Sequence, residues 1–573
     1  MGYGALKSGI FLIGTCLAAS ALAQTSADID TSTRQSETIL RQQQERLQQD
    51  LRDARRELPP QEGANLERYL PPASGNATDA TCHPVAEVRV IGADRLDAEQ
   101  VRAVTAPFVG QCLGVAGIEA LLGALTRQYL ERGYVTTRVY LPAQNLKTGT
   151  LLLQVLEGSI ERYRIEGDEA GIRLPNAFPR APGELLNLRD LEQGIEQINR
   201  LGSNNARMDI EPGSEPGASV VVVRNQAQRP AHLLVSADNQ GSESTGTHNA
   251  LLSLTLDSPL GWNERLVASR RESFTPERSG HRSENDALEL WLPLGYAAVT
   301  ASYSKSSYLN IFATASGSRL RSEGETETTS LGLDRVVYRD QTRRASTAAR
   351  LTRTATDNFL ERQRLTVSSR TLAYADLSAS GSQVLRDGML SGQLAYAQGL
   401  DALDAQKDAA DLAEEAPRAQ FRRLSADLAI SQSFRLGGRD FSWSSQFNGQ
   451  YGLTTLYGAQ QMLIGSLGSV RGFTTQSLSG DHGYYVRNEL ATPVRLGSGS
   501  TALAARLYVG YDFGAVRNRA PGATDGFLSG MALGVSLRWR GLSADLSATQ
   551  ALAQPSTMTR EPASVWLRLA YSI

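Results

Sequence analysis

Side chains that most often carry chemistry are sparse in this chain. Its 573 residues include 3 cysteines and 5 histidines, and lysine occurs only at Lys7, Lys147, Lys305 and Lys407. No CxxC, HExxH or clustered Cys/His spacing is present, so a metal centre is not expected. No G-x(4)-G-K-[ST] loop is present to cradle a phosphate, which argues against a nucleotide-driven machine. No Ser/His/Asp set or paired carboxylates stand out as a hydrolase site. Neither a cofactor nor an enzyme activity is expected. The one reaction the residue types support is thiol oxidation. Cys82 and Cys112 form the even pair left once a leader is removed, and in an oxidising compartment such a pair reads as a disulfide. Two free buried thiols are the alternative. Closing that loop contributes about 3–4 kcal/mol in the chain-entropy model.

The leader is residues 1–23. Lys7 precedes the apolar stretch Ile10–Leu22, which ends at Ala21-Leu22-Ala23. That is the order of a secretory signal peptide cleaved before Gln24. The run is short of the roughly 18–20 residues a membrane anchor needs, and Thr15 before Cys16 does not suit a lipidation site. Charged residues make up 21% and the formal net charge is −2, a balance that argues against an electrostatic grip on nucleic acid, which needs a basic face. With 41% hydrophobic residues the chain is not disordered throughout. A mean hydropathy of −0.28 excludes a polytopic helical membrane protein. It does not exclude a β-barrel, whose alternation hides its apolar face from a running average.

Several elements must position whatever these residues do. Residues 33–58 are Gln- and Arg-rich, with Leu40, Leu47, Leu51, Ala54 and Leu58 on one narrow stripe at helical spacing. Pro59 and Pro60 stop this helix, and 59–80 reads as a linker. A helix so polar belongs in a coiled coil or in polar surroundings. Two small α/β units follow, at 81–158 and 159–226. The first reads as strand Glu87–Ile91, helices Ala98–Thr105 and Ile118–Arg132, then strands Thr136–Leu141 and Thr150–Glu157. The second repeats the order: strand Ile160–Glu166, helices near Glu184–Leu186 and Leu188–Leu201, and strands Ala206–Glu211 and Ser219–Arg224. From 227 to 573 the chain alternates in short runs. Leu503, Ala505, Leu507, Val509, Tyr511 and Phe513 interleave with Ala504, Arg506, Tyr508, Gly510 and Asp512. Val565, Leu567, Leu569, Tyr571 and Ile573 interleave with Trp566, Arg568, Ala570 and Ser572. One apolar and one polar face suit a closed transmembrane barrel, with lipid outside and water inside. At about 10 residues per strand plus turns, the region holds about 16 strands. Gly399–Pro417 is acidic and reads as a solvated loop at the cell exterior. The expected fold is thus α+β domains followed by a transmembrane antiparallel β-barrel; a soluble all-β domain is the alternative for the last region.

At this point four stretches carry a family resemblance. Cys82-His83-Pro84, Cys112-Leu113 and Arg132-Gly133-Tyr134-Val135-Thr136-Thr137-Arg138-Val139-Tyr140-Leu141-Pro142 make the first, continued by Gln144-Asn145-Leu146 and Gly149-Thr150-Leu151. Asp238-Asn239-Gln240-Gly241 is the second. Val470-Arg471-Gly472-Phe473, followed by Gly480-Asp481 and Arg487-Asn488-Glu489-Leu490, is the third. Tyr511-Asp512-Phe513-Gly514 is the fourth. Together, in order and along the whole mature chain, they resemble the outer-membrane transporters of two-partner secretion, of the haemolysin/haemagglutinin secretion-activation type, within the POTRA-plus-barrel translocases. One departure is the final Ile573, where the barrel-assembly signal of such proteins usually ends in Phe.

The resemblance implies the rest. The two α/β units are POTRA domains in the periplasm of a Gram-negative cell. They capture an unfolded secreted exoprotein, an adhesin, haemolysin or contact-dependent toxin, which the barrel passes outward without nucleotide hydrolysis. Tyr134, Val135, Thr136, Thr137, Arg138 and Val139, with Ala206–Glu211, are candidate client surfaces; a core role for Tyr134 and Tyr140 is the competing reading. The 33–58 helix would plug the pore. Val470, Arg471, Gly472 and Phe473 would form the tip of the sixth extracellular loop, folded into the lumen. A charge so confined needs an anionic partner, and Asp512 lies on the polar parity of its strand, with Glu489 as the second choice. Other partners implied are outer-membrane lipid and the barrel-assembly machinery. A barrel-assembly insertase of the same superfamily is the competing function; a passive porin and a surface hydrolase are weaker ones.

Overall fold

A computed structural model describes residues 29, 32–33, 35–39, 41–46 and 48, and 82–573 except 168–170, 275–279, 315–316 and 498–502. The expected leader 1–23, the linker 59–80, part of the 33–58 helix and the apolar stripe assigned to it lie outside the described residues.

The first α/β unit has strand β1 (Glu87–Ile91), helices α1 (Ala98–Thr105) and α2 (Val115–Glu131), then β2 (Arg138–Tyr140) and β3 (Thr150–Leu156). Asp97 caps α1 reciprocally with Gln100, a capping box that fixes where the helix starts. Gly133, at φ +89°, ends α2. The sheet order is β1-β3-β2, parallel then antiparallel. Leu121, Leu125 and Tyr129 of α2 pack on Leu151, Leu153 and Val155 of β3. Cys82 and Cys112 are disulfide-bonded with Cα atoms 5.3 Å apart, and they brace the short His83–Pro84 and Cys112–Leu113 pairing at the edge of the unit.

The second unit has β4 (Ser159–Gly167), α3 (Leu174–Ala177), α4 (Leu188–Asn199), β5 (Ala206–Pro212) and β6 (Ala218–Asn225), in sheet order β4-β6-β5. One expectation is corrected. Residues 184–186 are not helical. Gly183, at φ +90°, turns the chain, the Glu184 carboxylate accepts the Ala181 N–H at 2.7 Å, and Leu185 bridges to Ser159. The short helix lies earlier, at α3. The two units are joined through their cores: Val135 of the first packs among Ile160, Leu186 and Val221 of the second.

The strands from Ala231–Asp238 to Ser564–Ser572 close a 16-strand antiparallel barrel. Along Leu503–Arg517 the exposed Leu507, Val509 and Tyr511 alternate with buried Tyr508, Gly510 and Asp512, so lipid-facing and lumen-facing sets separate by parity. Trp566 faces inward and donates its indole N–H to Thr549 Oγ1 at 2.9 Å. At the seam the last strand pairs with the first from Arg568↔Asp238 to Ser572↔Leu234. Ile573 extends the seam by exchanging backbone bonds with Leu233 at 3.0 and 3.3 Å, and its side chain stays on the outer face. Residues 401–421 form the loop expected from the acidic stretch; Gly399 and Leu400 belong to the preceding strand.

The second unit is docked on the turns at one end of the barrel. Gln193 and Gln197 of α4 donate to the Gly295 carbonyl at 3.3 and 2.8 Å. Tyr296 donates its hydroxyl to Asp190 at 2.5 Å, and Asp257 accepts the Ser203 N–H at 2.7 Å. Glu196 is met by Arg339 at 2.5 Å and by Arg344. Burial pushes the Glu196 carboxyl up, but Arg344, Arg200 and Arg339 outweigh it and hold its pKa at about 2. A carboxylate held below its ordinary value of 4.5 stabilises docking above that pH and loses its contribution as pH falls toward 2. The protection factors of α4 amides, taken relative to intrinsic exchange at each pH, are therefore expected to be high at pH 5 and to fall as pH is lowered through this window; unchanged protection at about pH 3 would refute the electrostatic dock.

Candidate functional site: the lumenal loop and its arginine

Residues 453–481 connect the strands Arg439–Gly452 and His482–Leu496 and turn back into the barrel. A short ribbon, Met462–Ile464 against Leu478–Gly480, forms the stem. Buried Asp481 organises its root, accepting the Leu456 and Arg519 N–H groups, each at 2.8 Å. At the tip, Val470 and Phe473 are buried with Leu528 and Ala551.

Arg471 is 5% exposed and Asp512 is 0%, so neither charge can rely on water. The guanidinium grips Asp512 with two bonds, Nε to Oδ2 at 2.6 Å and Nη2 to Oδ1 at 2.8 Å. The Arg471 backbone N–H adds a third at 3.2 Å. Nη1 reaches Glu489 at 3.2 Å, and Glu489 also holds Arg506 at 2.5 Å. This is the paired, bidentate geometry that a buried arginine requires. Leaving either partner alone costs about 3–5 kcal/mol.

Glycines make the approach possible. Gly472, at φ +108°, adopts a backbone that side chains disfavour, and a Cβ there would strike the backbone of Gln550 and Ala551. A Cβ on Gly510 would meet the Arg471 guanidinium, and one on Gly530 would meet the Arg471 carbonyl. Gly530, Arg506 and Glu561 are site residues that sequence reasoning did not single out. Arg506 and Gly510 share the inward parity of Asp512, a usable signal. Nothing local marks Gly530 or Glu561.

The second motif sits at the seam. Asp238 pairs with Arg271 at 2.9 Å. Asn239 bonds Val565 and Leu567 of the last strand at 2.9 and 2.7 Å, and Gln240 accepts from Arg46 at 2.9 Å. Arg46 belongs to the N-terminal helix, whose described residues between 29 and 48 lie inside the barrel. Ser36 meets Tyr308, Gln43 donates to the Ser307 carbonyl at 3.1 Å, and Glu37 pairs with Arg370 at 3.1 Å. Glu45 accepts from Ser466 of the lumenal loop at 3.2 Å. A cavity of about 1660 Å³ runs past this helix, from Glu196 of α4 to Gly468 at the loop tip, lined by polar wall residues such as Ser304, Thr328, Arg350 and Gln393.

The candidate client surface needs correction. Val135 and Thr137 are each 1% exposed and Val139 is 9%, so their side chains hold the unit together and present nothing to a partner. Tyr134 packs on the first core, edge-on to Tyr129. Arg138 donates to the Val135 and Thr137 carbonyls at 2.9 Å, and Thr136 lies against Gly158. What remains open is the edge of β2 with exposed Tyr140, and the edge strand β5. Among the described residues no group of His, Cys, Asp and Glu could hold a metal ion.

A closed barrel with two α/β units at one mouth and an arginine-tipped loop in its lumen defines a POTRA-bearing outer-membrane transporter. The model of the haemolysin secretion/activation protein family ShlB/FhaC/HecB matches residues 217–537, a ShlB-type POTRA domain matches 83–158, and a further POTRA domain matches 159–212. The chain belongs to this family. The outer membrane transporter CdiB of Dickeya dadantii is 33% identical over 568 residues, covering 98% of this chain and 97% of its own. The hemolysin transporter protein ShlB of Serratia marcescens is 33% identical over 564 residues, covering 98% of both. The solved structure of CdiB from Escherichia coli superposes with a TM-score of 0.83 at 30% identity, covering 94% of this chain and 98% of that one. The protein is therefore an outer-membrane translocase of the two-partner secretion type, with its POTRA domains in the periplasm.

If the buried pair holds the loop, Arg471→Ala and Asp512→Asn should each leave a folded, heat-modifiable barrel yet lower secretion more than tenfold. Arg471→Lys should not rescue, because an ammonium cannot make the bidentate contact. Normal secretion by Arg471→Ala would dismiss the role.

Proposed function

We propose that the POTRA domains receive an unfolded exoprotein in the periplasm and that the barrel passes it to the cell surface without nucleotide hydrolysis. The observation that carries this reading is the polar cavity that begins at α4 and continues along the lumen to the loop tip. Its wall mixes hydroxyls, amides and charged groups such as Ser304, Thr328, Arg350 and Gln393 with scattered apolar side chains such as Leu288 and Phe447, so an unfolded chain can stay solvated along it. An edge strand such as β2 or β5 can add an extended segment by backbone hydrogen bonds, with little demand on its sequence. Folding beyond the membrane then biases motion outward, because buried apolar surface stabilises each emerged segment against return. The client class is that of an adhesin, haemolysin or contact-dependent toxin; relatives of this chain are named as hemolysin transporters.

In this reading the domains are a leader (1–23), a plug helix (33–58), a linker (59–80), POTRA domains (81–158 and 159–226) and the barrel (227–573). The chain itself enters the lipid of the outer membrane through the barrel-assembly machinery, with Ile573 in the terminal position. The Arg471 pair with Asp512 and Glu489 keeps the loop in its working position, and the Cys82–Cys112 disulfide stabilises the first POTRA domain.

Crosslinking from the second POTRA domain in intact cells, read by mass spectrometry, tests the function. One large secreted protein trapped through its N-terminal region is the expected result; a spread of outer-membrane barrels and their chaperones would assign the protein to the insertases instead. Deleting 28–57 should raise single-channel conductance if the helix plugs the pore, and unchanged conductance would reject that role.

A further inference from the structure

Glu561 lies in the loop between the strands Leu542–Ala553 and Ser564–Ser572, far in sequence from the lumenal loop. It is 5% exposed. Its carboxylate accepts three consecutive backbone N–H groups of that loop: Thr474 at 2.7 Å, Thr475 at 3.1 Å and Gln476 at 2.9 Å. The Thr474 hydroxyl donates to it as well. Among the described residues it has no cationic partner. Successive amides that converge in this way form an anion-binding concavity, and Glu561 fills it. The contact is doubled by Gln476, which donates its side-chain amide to the Thr559 carbonyl at 2.6 Å and accepts the Thr559 N–H at 2.8 Å. Met558 of the same loop packs on the cluster that holds Val470 and Phe473.

The position of these bonds matters. Arg471 and Asp512 fix the chain just before Gly472. Gly472 is a pivot, because its backbone conformation carries no side chain to stiffen it. Thr474–Gln476 lie just after it. Beyond the pivot Phe473 is buried with Leu528 and Ala551, but the polar backbone of Thr474–Gln476 is held through Glu561. We propose that Glu561 is a positioning residue for the Arg471–Asp512 pair: it fixes the limb beyond Gly472, and the two anchors together hold the loop tip in the lumen. Its consequence for secretion rests on the reading that the loop's lumenal position serves transport.

The test uses the full-length protein in the outer membrane of intact cells. Ser469 is 1% exposed at the loop tip, and Cys82 and Cys112 are bonded to each other, so Ser469→Cys supplies a reporter thiol. A membrane-impermeant maleimide added outside should label it slowly. Adding Glu561→Ala should raise the labelling rate about tenfold or more, since charge-assisted bonds to a buried carboxylate are lost. Glu561→Gln keeps one acceptor oxygen and should fall between the two. Secretion, relative to Ser469→Cys alone, should decline in the same order. Labelling within about twofold of the reporter alone in both Glu561 variants would overturn the proposal. Faster labelling with undiminished secretion would uphold the positioning role and refute the link between loop position and transport. If Glu561→Ala fails a heat-modifiability check of folding, Glu561→Gln decides the matter.

Discussion

A guanidinium shut inside a protein must be met on nearly every side, and much of this molecule is arranged to do so. Arg471 is out of reach of bulk water, and so is the Asp512 carboxylate that receives it. The arrangement holds because a strand supplies the acid at fixed height while glycines at 472, 510 and 530 let backbone and guanidinium approach. Glu489, shared between Arg471 and Arg506, carries the charge balance one strand further round the wall. Buried pairs of this kind add little net stability but penalise every arrangement in which one partner is alone. The pair is therefore better suited to choosing one loop position than to strengthening the barrel.

The mouth of the barrel follows the same logic at the other end. Helix α4 meets the barrel through glutamines on a turn carbonyl and through Glu196 between arginines, and just beyond it Leu201 is buried against Trp291 and Ala298. Directional polar bonds beside this small apolar contact fix the geometry of the joint. The helix that forms the joint also lines the cavity, so the second POTRA domain and the channel share one wall.

Much of this was readable from residue order, and the remainder failed for identifiable reasons. Barrel strands declare themselves by parity, because lipid and water demand opposite side chains at successive positions; Leu507, Val509 and Tyr511 against Asp512 is the clearest case. The inward face of Asp512 could be read in the same way. Residues 184–186 carry leucines that suit a helix, but Gly183 and the bridge to Ser159 override that preference. Val135 and Thr137 sit in a stretch that marks the family, yet they are interior: a motif can be characteristic because two domains must pack there. Glu561 could not be found at all, since its partners are backbone amides some eighty-five positions away, and an amide leaves no trace in residue identity.

The N-terminal helix invites a different description. Among its described residues Ile39 is the one apolar side chain counted in the buried core, while serine, glutamine, glutamate and arginine make the contacts with the wall. If the helix is the plug proposed above, it is less a part of the barrel than a ligand of it, covalently leashed to the POTRA domains. Its occupancy depends on an effective concentration set by the length and stiffness of the intervening residues. On the proposed plug reading, an arriving polypeptide need not unfold anything to enter; it would have only to compete, and the displaced ligand would remain close enough to return when the channel empties.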